Sequence, residues 1–463
     1  MKPEDSSGLQ ARLDKKYDTS RPMPDNLNER TWGIPYSGDS SYGLAAALQG
    51  VGIPAEVMEE TCTEHTYGLA EKNVITQTCE PFRILIGDAL AWLEKKSEKH
   101  GQDELALFQP TAEGPCRQGQ YTQVMRLILD SNGYEGVPIV SPSGKTNYSE
   151  LDLPPDQRDD LVKLAFKSIF ALDILYNALL RIRPYEKKPE VGNTAGELKY
   201  KELLGHLCDE IRSGGHGLED AMYTAAAEMS KVDFDRSRRF PIALVNGEFF
   251  MRLHPGANHY ISKLLEGSFS RPLETLVAST AEWFLYVNSW NYQDAKQAMS
   301  LRHPSSLIDV FKKGINRWYM NKQKDILWMP FEDLLRGREI HDAYDYSKKA
   351  EDRGIFHTAI EGESPITVGT TYLFIEGHFR PVGDAAISGI CHVGPWQCMH
   401  ETVATSVSQA LIRNARERAG SAADKILPYV DLAFSDAPEP QMMPKLASFV
   451  DACYQKRDTL LGR

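Results

Sequence analysis

The sequence predicts an α/β protein with two Rossmann-like parallel-sheet regions joined and interrupted by helices, and three observations predict it. Short apolar runs alternate with longer segments of helical spacing, first over residues 30–152 and again from about residue 239. Brief Gly-, Ser- and Asn-containing loops separate them, as in βαβ units. The chain has 463 residues, 42% of them hydrophobic, enough for more than one core.

In the first region, Thr31 to Tyr36 reads as a strand that ends in Ser37-Gly38-Asp39-Ser40-Ser41. A helix through Tyr42 to Leu48 follows, with Ser40 or Ser41 as its cap, and Gly50 stops it before the strand Pro54 to Met58. Phe82 to Lys95 then reads as helix, Leu105 to Phe108 as strand, Tyr121 to Asn132 as helix and Val137 to Val140 as strand. The expected domain map is a polar extension over 1–29, a first α/β domain over 30–152, a helical linker over 153–238, and a second α/β domain over 239–463. Within the linker, the helix from Pro155 carries Lys163, Lys167, Asp173, Asn177 and Arg181 on one stripe, which reads as its wet side. A second linker helix, Gly196 to Ile211, places Cys208 among leucines as a small apolar core residue.

The second α/β region begins with the strand Phe240 to Val245, then Asn246-Gly247-Glu248 and a helix from about Asn258 to Leu265. Residues 281–346, rich in aromatic and charged side chains, read as a helical insertion. Ile366 to Ile375, Ala385 to Val393 and Tyr429 to Phe434 read as strands; Met399 to Arg418 and Pro440 to Gln455 read as helices.

Composition excludes several classes. No apolar run approaches the ~20 residues of a membrane span, and Met1 to Asn28 lacks the character of a signal sequence, so a cytoplasmic protein is expected. A formal charge of −12 argues against nucleic-acid binding and leaves proteins or small molecules as partners. Seven cysteines, an odd and sparse set, point to reduced thiols or metal ligands rather than a disulfide framework.

Four of those cysteines stand in distinctive neighbourhoods: Cys79 in Thr78-Cys79-Glu80-Pro81, Cys116 in Gly114-Pro115-Cys116-Arg117-Gln118-Gly119-Gln120-Tyr121, and Cys391 and Cys398 in Cys391-His392-Val393-Gly394-Pro395-Trp396-Gln397-Cys398. Proline and glycine place such thiols on turns, where loop N–H groups can face cluster sulfurs. Cys116 follows one expected strand and Cys398 another, so both fall at carboxyl ends, where open α/β sheets bind ligands. No C-x-x-C pair exists, which excludes zinc-ribbon and thioredoxin-type motifs, and spacing alone leaves open that these are buried core thiols. Two tempting motifs fail. Gly144-Lys145-Thr146 is no phosphate loop, because Ile139 stands where the first glycine belongs, and His400-Glu401 is no zincin site, because Ala404 stands where the second histidine belongs.

At these residues the chain resembles the iron–sulfur subunits of 2-hydroxyacyl-CoA dehydratases and, more closely, the related dehydratase-activase-associated proteins. The resemblance runs through Ser40 to Leu48, Gly50 to Val57, Cys79-Glu80-Pro81 with Gly87-Asp88, and Phe108 to Tyr121. It continues in Arg183-Pro184-Tyr185-Glu186, Val245-Asn246-Gly247-Glu248 and Gly394 to Met399. It implies Rossmann-like domains and a [4Fe–4S] cluster, or in one branch a double-cubane [8Fe–9S] cluster. Cys79, Cys116 and Cys398 would be ligands; Cys391 is either the fourth or a thiol packed in its strand. A second cubane would need further thiols such as Cys62 and Cys453.

The implied function is electron transfer or reduction. Low-potential electrons would come from a separate actin-like ATPase activator, since residues 1–30 are too short to hold one, and pass to a CoA thioester or other small molecule. The chain would thus be a dehydratase-like lyase or a component of an ATP-dependent reductase. Arg117 and Arg183 are candidates to steady an anionic cluster or CoA phosphates, with a structural salt bridge the alternative for Arg183. Glu113 and Glu248 are candidate proton donors if burial raises their pKa. The alternative from another class is a non-catalytic scaffold with a structural cluster. A homodimer is the base expectation for assembly.

Overall fold

The computed structural model describes residues 21–75, 78–112, 116–144, 146–189, 191–237, 239–300, 306–419, 427–437 and 439–462. Residues 1–20 of the expected extension, Glu113, Lys145 and residues 301–305 of the expected insertion lie outside them.

Among the described residues, eight strands form two four-stranded sheets, each parallel throughout. The first comprises β1 (Thr31–Pro35), β2 (Ala55–Met58), β3 (Leu105–Phe108) and β4 (Ile139–Val140), in the order β2-β1-β3-β4. Around it lie α1 (Ser40–Gly50), α2 (Glu64–Asn73), α3 (Glu80–Ser97) and α4 (Tyr121–Ser131). Three helices follow: α5 (Pro155–Ile182), α6 (Ala195–Arg212) and α7 (Leu218–Ser230). The second sheet comprises β5 (Ile242–Gly247), β6 (Glu274–Val277), β7 (Ile387–Pro395) and β8 (Tyr429–Phe434), in the order β6-β5-β7-β8. Its helices are α8 (Phe249–Leu253), α9 (Ile261–Gly267), α10 (Thr280–Ser300), α11 (Ser306–Trp328), α12 (Ala343–Glu351), α13 (Ser364–Ile375), α14 (Met399–Arg418) and α15 (Met442–Leu460). The two Rossmann-like parallel-sheet units are therefore present, and no described helix is long and apolar enough to cross a membrane.

Both sheets change strand direction of travel at one place, between β1 and β3 and between β5 and β7. Such a switch point opens a crevice at the carboxyl ends of the strands. A single apolar core joins residues from both units, from Trp32 and Leu107 through Phe170 and Leu175 of α5 to Val245 and Phe434.

Four differences from the expectations have physical causes. Ile366 to Ile375 is helix, not strand. Its β-branched run favours a strand locally, but Ser364-Pro365 opens a helix, and burial on every side leaves no polar stripe to display the 3.6-residue period. Gly369 lets this helix lie against α12, since a Cβ there would stand 2.6 Å from the Tyr346 carbonyl carbon. Secondly, β6 escapes the pattern because its first residue is a charged Glu274 that is wholly buried. Thirdly, the stripe on α5 is wet only at its N-terminal end: Asp173, Asn177 and Arg181 are buried and hold other elements. Asp173 accepts the Ala281 amide at 2.6 Å, and Asn177 bonds Arg338 through both its amide atoms. Finally, neither serine caps α1; Ser41 Oγ instead bonds the Ser37 amide and the Pro35 carbonyl and closes the β1–α1 turn.

Candidate active site at the seam of the two sheets

Each of three predicted thiols occupies the N-cap of a helical segment. Cys79 precedes α3, where Pro81 in the first turn fixes the helical start. Cys116 precedes the 3-10 turn Arg117–Gln120, and its Sγ accepts the Gln118 amide at 3.4 Å. Cys398 precedes α14, after a loop in which Gln397 adopts φ +66°. Unpaired N–H groups and the helix dipole at such positions favour negative charge on sulfur.

The loops are drawn together across the two units. Arg117 donates through its guanidinium to the Gln397 carbonyl, tying the Cys116 loop of the first sheet to the Cys398 loop of the second. Tyr121, the first residue of α4, bonds the Cys79 thiol through its hydroxyl. All three thiols lie within electrostatic reach of the half-buried Glu248. Burial lifts the Cys79 thiol to about 12 against the opposing Tyr121 hydrogen bond, and lifts Cys116 to about 11. Cys398 is raised further by burial and by Glu248, Glu401 and Glu363.

Glu248 is placed by the turn after β5. Its amide bonds the Val393 carbonyl at 2.9 Å, and its carboxylate caps α8 by accepting the Met251 amide at 2.8 Å. Burial raises its pKa to about 7. The preceding Gly247 has φ +126°, and a Cβ there would stand 2.0 Å from the Val393 oxygen. Gly247→Ala is therefore expected to cost about 2–4 kcal/mol, read as a lower urea midpoint, because strain and overpacking add.

Two further carboxylates join Glu248: Glu363, not singled out from sequence, and Glu401, met there only in the failed zincin pattern. Glu363 immediately precedes α13 and accepts the Phe249 amide; burial and its neighbours Glu248 and Glu401 raise its pKa well above the usual range. Glu401, in the first turn of α14, pairs with His392, whose other nitrogen lies 2.8 Å from Asp431. Burial pulls the His392 pKa down, but the two carboxylates outweigh it and raise it to about 10. Available signals were the Glu363-Ser364-Pro365 helix start and the alternation in β7 that turns His392 away from Cys391.

The remaining predicted residues lie elsewhere. Cys391 is fully buried on the α15 side of β7, grouped with Cys453, and is not brought to the seam. The Arg183 guanidinium is committed to Glu266 at 2.5 and 3.1 Å and faces Glu197 at 3.5 Å, so its structural salt bridge is formed and no free fork is left for an anionic cofactor. Cys62 packs against Gly256, and Cys208 lies in the core on α6. Glu113 is outside the described residues.

Three thiols at the N-caps of helical segments, held protonated by burial and neighbouring acids, are the donors the seam offers to a metal, which would convert them to thiolates on binding. Among the described residues no group of three or more His, Cys, Asp or Glu is gathered to hold a metal ion. Compared with protein-family models, curated proteins and solved structures, the chain matches none of them.

Proposed function

We propose that the chain is an iron–sulfur electron-transfer or reductase protein of the kind its cysteine loops resemble. It would receive low-potential electrons from a separate ATPase activator and pass them to a small molecule such as a CoA thioester. The observation that carries this reading is the gathering of the Cys79, Cys116 and Cys398 loops around Glu248 at the carboxyl-end seam. A [4Fe–4S] cluster bound there would supply one-electron chemistry and, with three protein thiolates, an iron open to substrate.

The chain's own residues have definable tasks. Arg117 fixes the relative position of the Cys116 and Cys398 loops. Tyr121 orients the Cys79 sulfur and donates to it. Glu248, with a pKa of about 7, holds a proton near neutrality and can give it up to a neighbouring acceptor. Tyr121, Cys79 and Cys398 are buried, whereas Arg117 lies exposed at the mouth of the seam and Glu248 is half-buried.

The test uses electron paramagnetic resonance on anaerobic, dithionite-reduced protein, with and without a 2-hydroxyacyl-CoA thioester. A substrate-dependent change in the spectrum is the expected result. An unchanged spectrum from a loaded cluster would favour the scaffold, in which the cluster is structural.

A further inference from the structure

Away from the thiol seam, a cavity lies between the α5 side of the second sheet and the helices α10 and α13, with about 60 Å³ open to the centre of a water molecule. One water needs roughly 10–15 Å³ on that measure, so several non-hydrogen atoms fit. Leu180, Leu244 and Ile387 are among its apolar walls, and Asp173, Asn246 and Glu282 are among its polar ones.

Asn246 is the decisive residue. It is 1% exposed, and among the described residues neither its Oδ1 nor its Nδ2 has a hydrogen-bond partner. A buried amide with both ends unsatisfied is costly, and a ligand in the cavity that bonds it would remove that cost.

Charge indicates what kind of ligand. Asp173 and Glu282 are two acids lining the cavity, and Arg252 is the cation beside both. Arg338 also lines the cavity, but its three nitrogens are committed to Asn177, Glu274 and the Thr275 carbonyl. The other groups facing these acids add no cation: Asp39 faces Asp173, Asp342 and Tyr346 face Glu282, and Glu339 and His341, whose pKa burial lowers, also line the cavity. Anions are disfavoured as well because the Asp173 carboxylate already takes the Ala281 amide at the start of α10. Burial accordingly raises both Asp173 and Glu282 to about 7, as expected of two acids sharing too little positive charge.

We propose that this cavity binds a small aliphatic amine as its ammonium ion, the head held by Asp173, Glu282 and the Asn246 carbonyl and the alkyl chain by the leucine and isoleucine walls. None of the cavity's lining residues is a thiol or carboxylate of the seam, and although Arg252 neighbours the acids of both, amine binding is read without iron and so is tested apart from the cluster.

Calorimetric titration of the full chain with n-butylammonium and with 1-butanol tests it. The amine is expected to bind about tenfold or more tighter than the alcohol, since hydrogen bonds to a charged group are the stronger kind. Its affinity should increase from pH 6 to pH 8 as the two acids ionise while the amine stays charged. Glu282→Gln should weaken the amine about tenfold and leave the alcohol unchanged. Equal affinities for amine and alcohol, or no amine binding, would overturn the proposal, and that comparison needs only the unaltered protein.

Discussion

Replacing Cys79, Cys116 or Cys398 by alanine is expected to strip most of the iron from the anaerobically purified protein, while Cys391→Ala and Cys208→Ala retain it. The contrast follows from position rather than residue type. The first three thiols stand at helical N-caps around Glu248, whereas Cys391 packs beside α15 and Cys208 lies in the core on α6. A cubane held by three thiolates and deprived of one keeps too few protein ligands to persist, so iron should fall from about four per chain to a small fraction of that. Removing a core thiol only deletes a small apolar group, and its cost should appear in the unfolding midpoint instead. Iron analysis of the five variants, each shown to be folded by circular dichroism, checks the assignment. Full iron in any of the first three would remove that cysteine from the ligand set, and loss of iron in Cys391→Ala would restore it as a ligand.

Glu274→Ala is expected to be the most destabilising substitution away from the seam. Glu274 is wholly buried at the start of β6 and holds Arg338 at 2.6 Å, Arg239 at 2.8 and 3.0 Å and the Tyr185 hydroxyl at 2.7 Å. Arg181 stands 3.9 Å away. Without this carboxylate, three guanidinium groups would share a buried space with no counter-charge, a change worth about 3–5 kcal/mol. Burial opposes ionisation, but the arginines outweigh it and lower the Glu274 pKa to about 2. A depressed carboxylate stabilises the fold fully above its unfolded pKa of about 4.3 and loses that contribution as pH falls towards 2. Urea midpoints measured between pH 2 and pH 6 should therefore show a difference between wild type and Glu274→Ala that is greatest at pH 6 and shrinks on acidification. A constant difference would mean that Glu274 acts through packing alone.

The parts of the fold that could be read from sequence are those where local and tertiary preferences agree. Leu105 to Phe108, Met399 to Arg418 and Tyr429 to Phe434 have the same limits in the sequence pattern and in the structure. Where a segment is enclosed on all sides, the pattern carries less information. Residues 366–375 have strand propensity yet form α13, because the helical period shows only when one face meets water. Glu274 hides β6 for the converse reason, since its charge signals exposure while three arginines and a tyrosine permit burial. Proline and glycine contexts made the thiol loops stand out, but they could not separate Cys391 from Cys398, which are seven residues apart and on different sides of a strand end. For Glu363 and His392 the helix start and the β7 alternation mark only the local setting, while their arrival at the seam depends on tertiary contacts with the Phe249 amide and Glu401.

Iron and acid-labile sulfide per chain, measured after strictly anaerobic purification with the visible spectrum recorded before and after dithionite, tests the central claim most directly. The account predicts about four of each and a brown absorption band that dithionite bleaches. About eight irons would indicate the double cubane and call for thiols beyond the seam. A protein without iron, even after anaerobic reconstitution, would contradict the account and leave Cys79, Cys116 and Cys398 as capping residues of their helices.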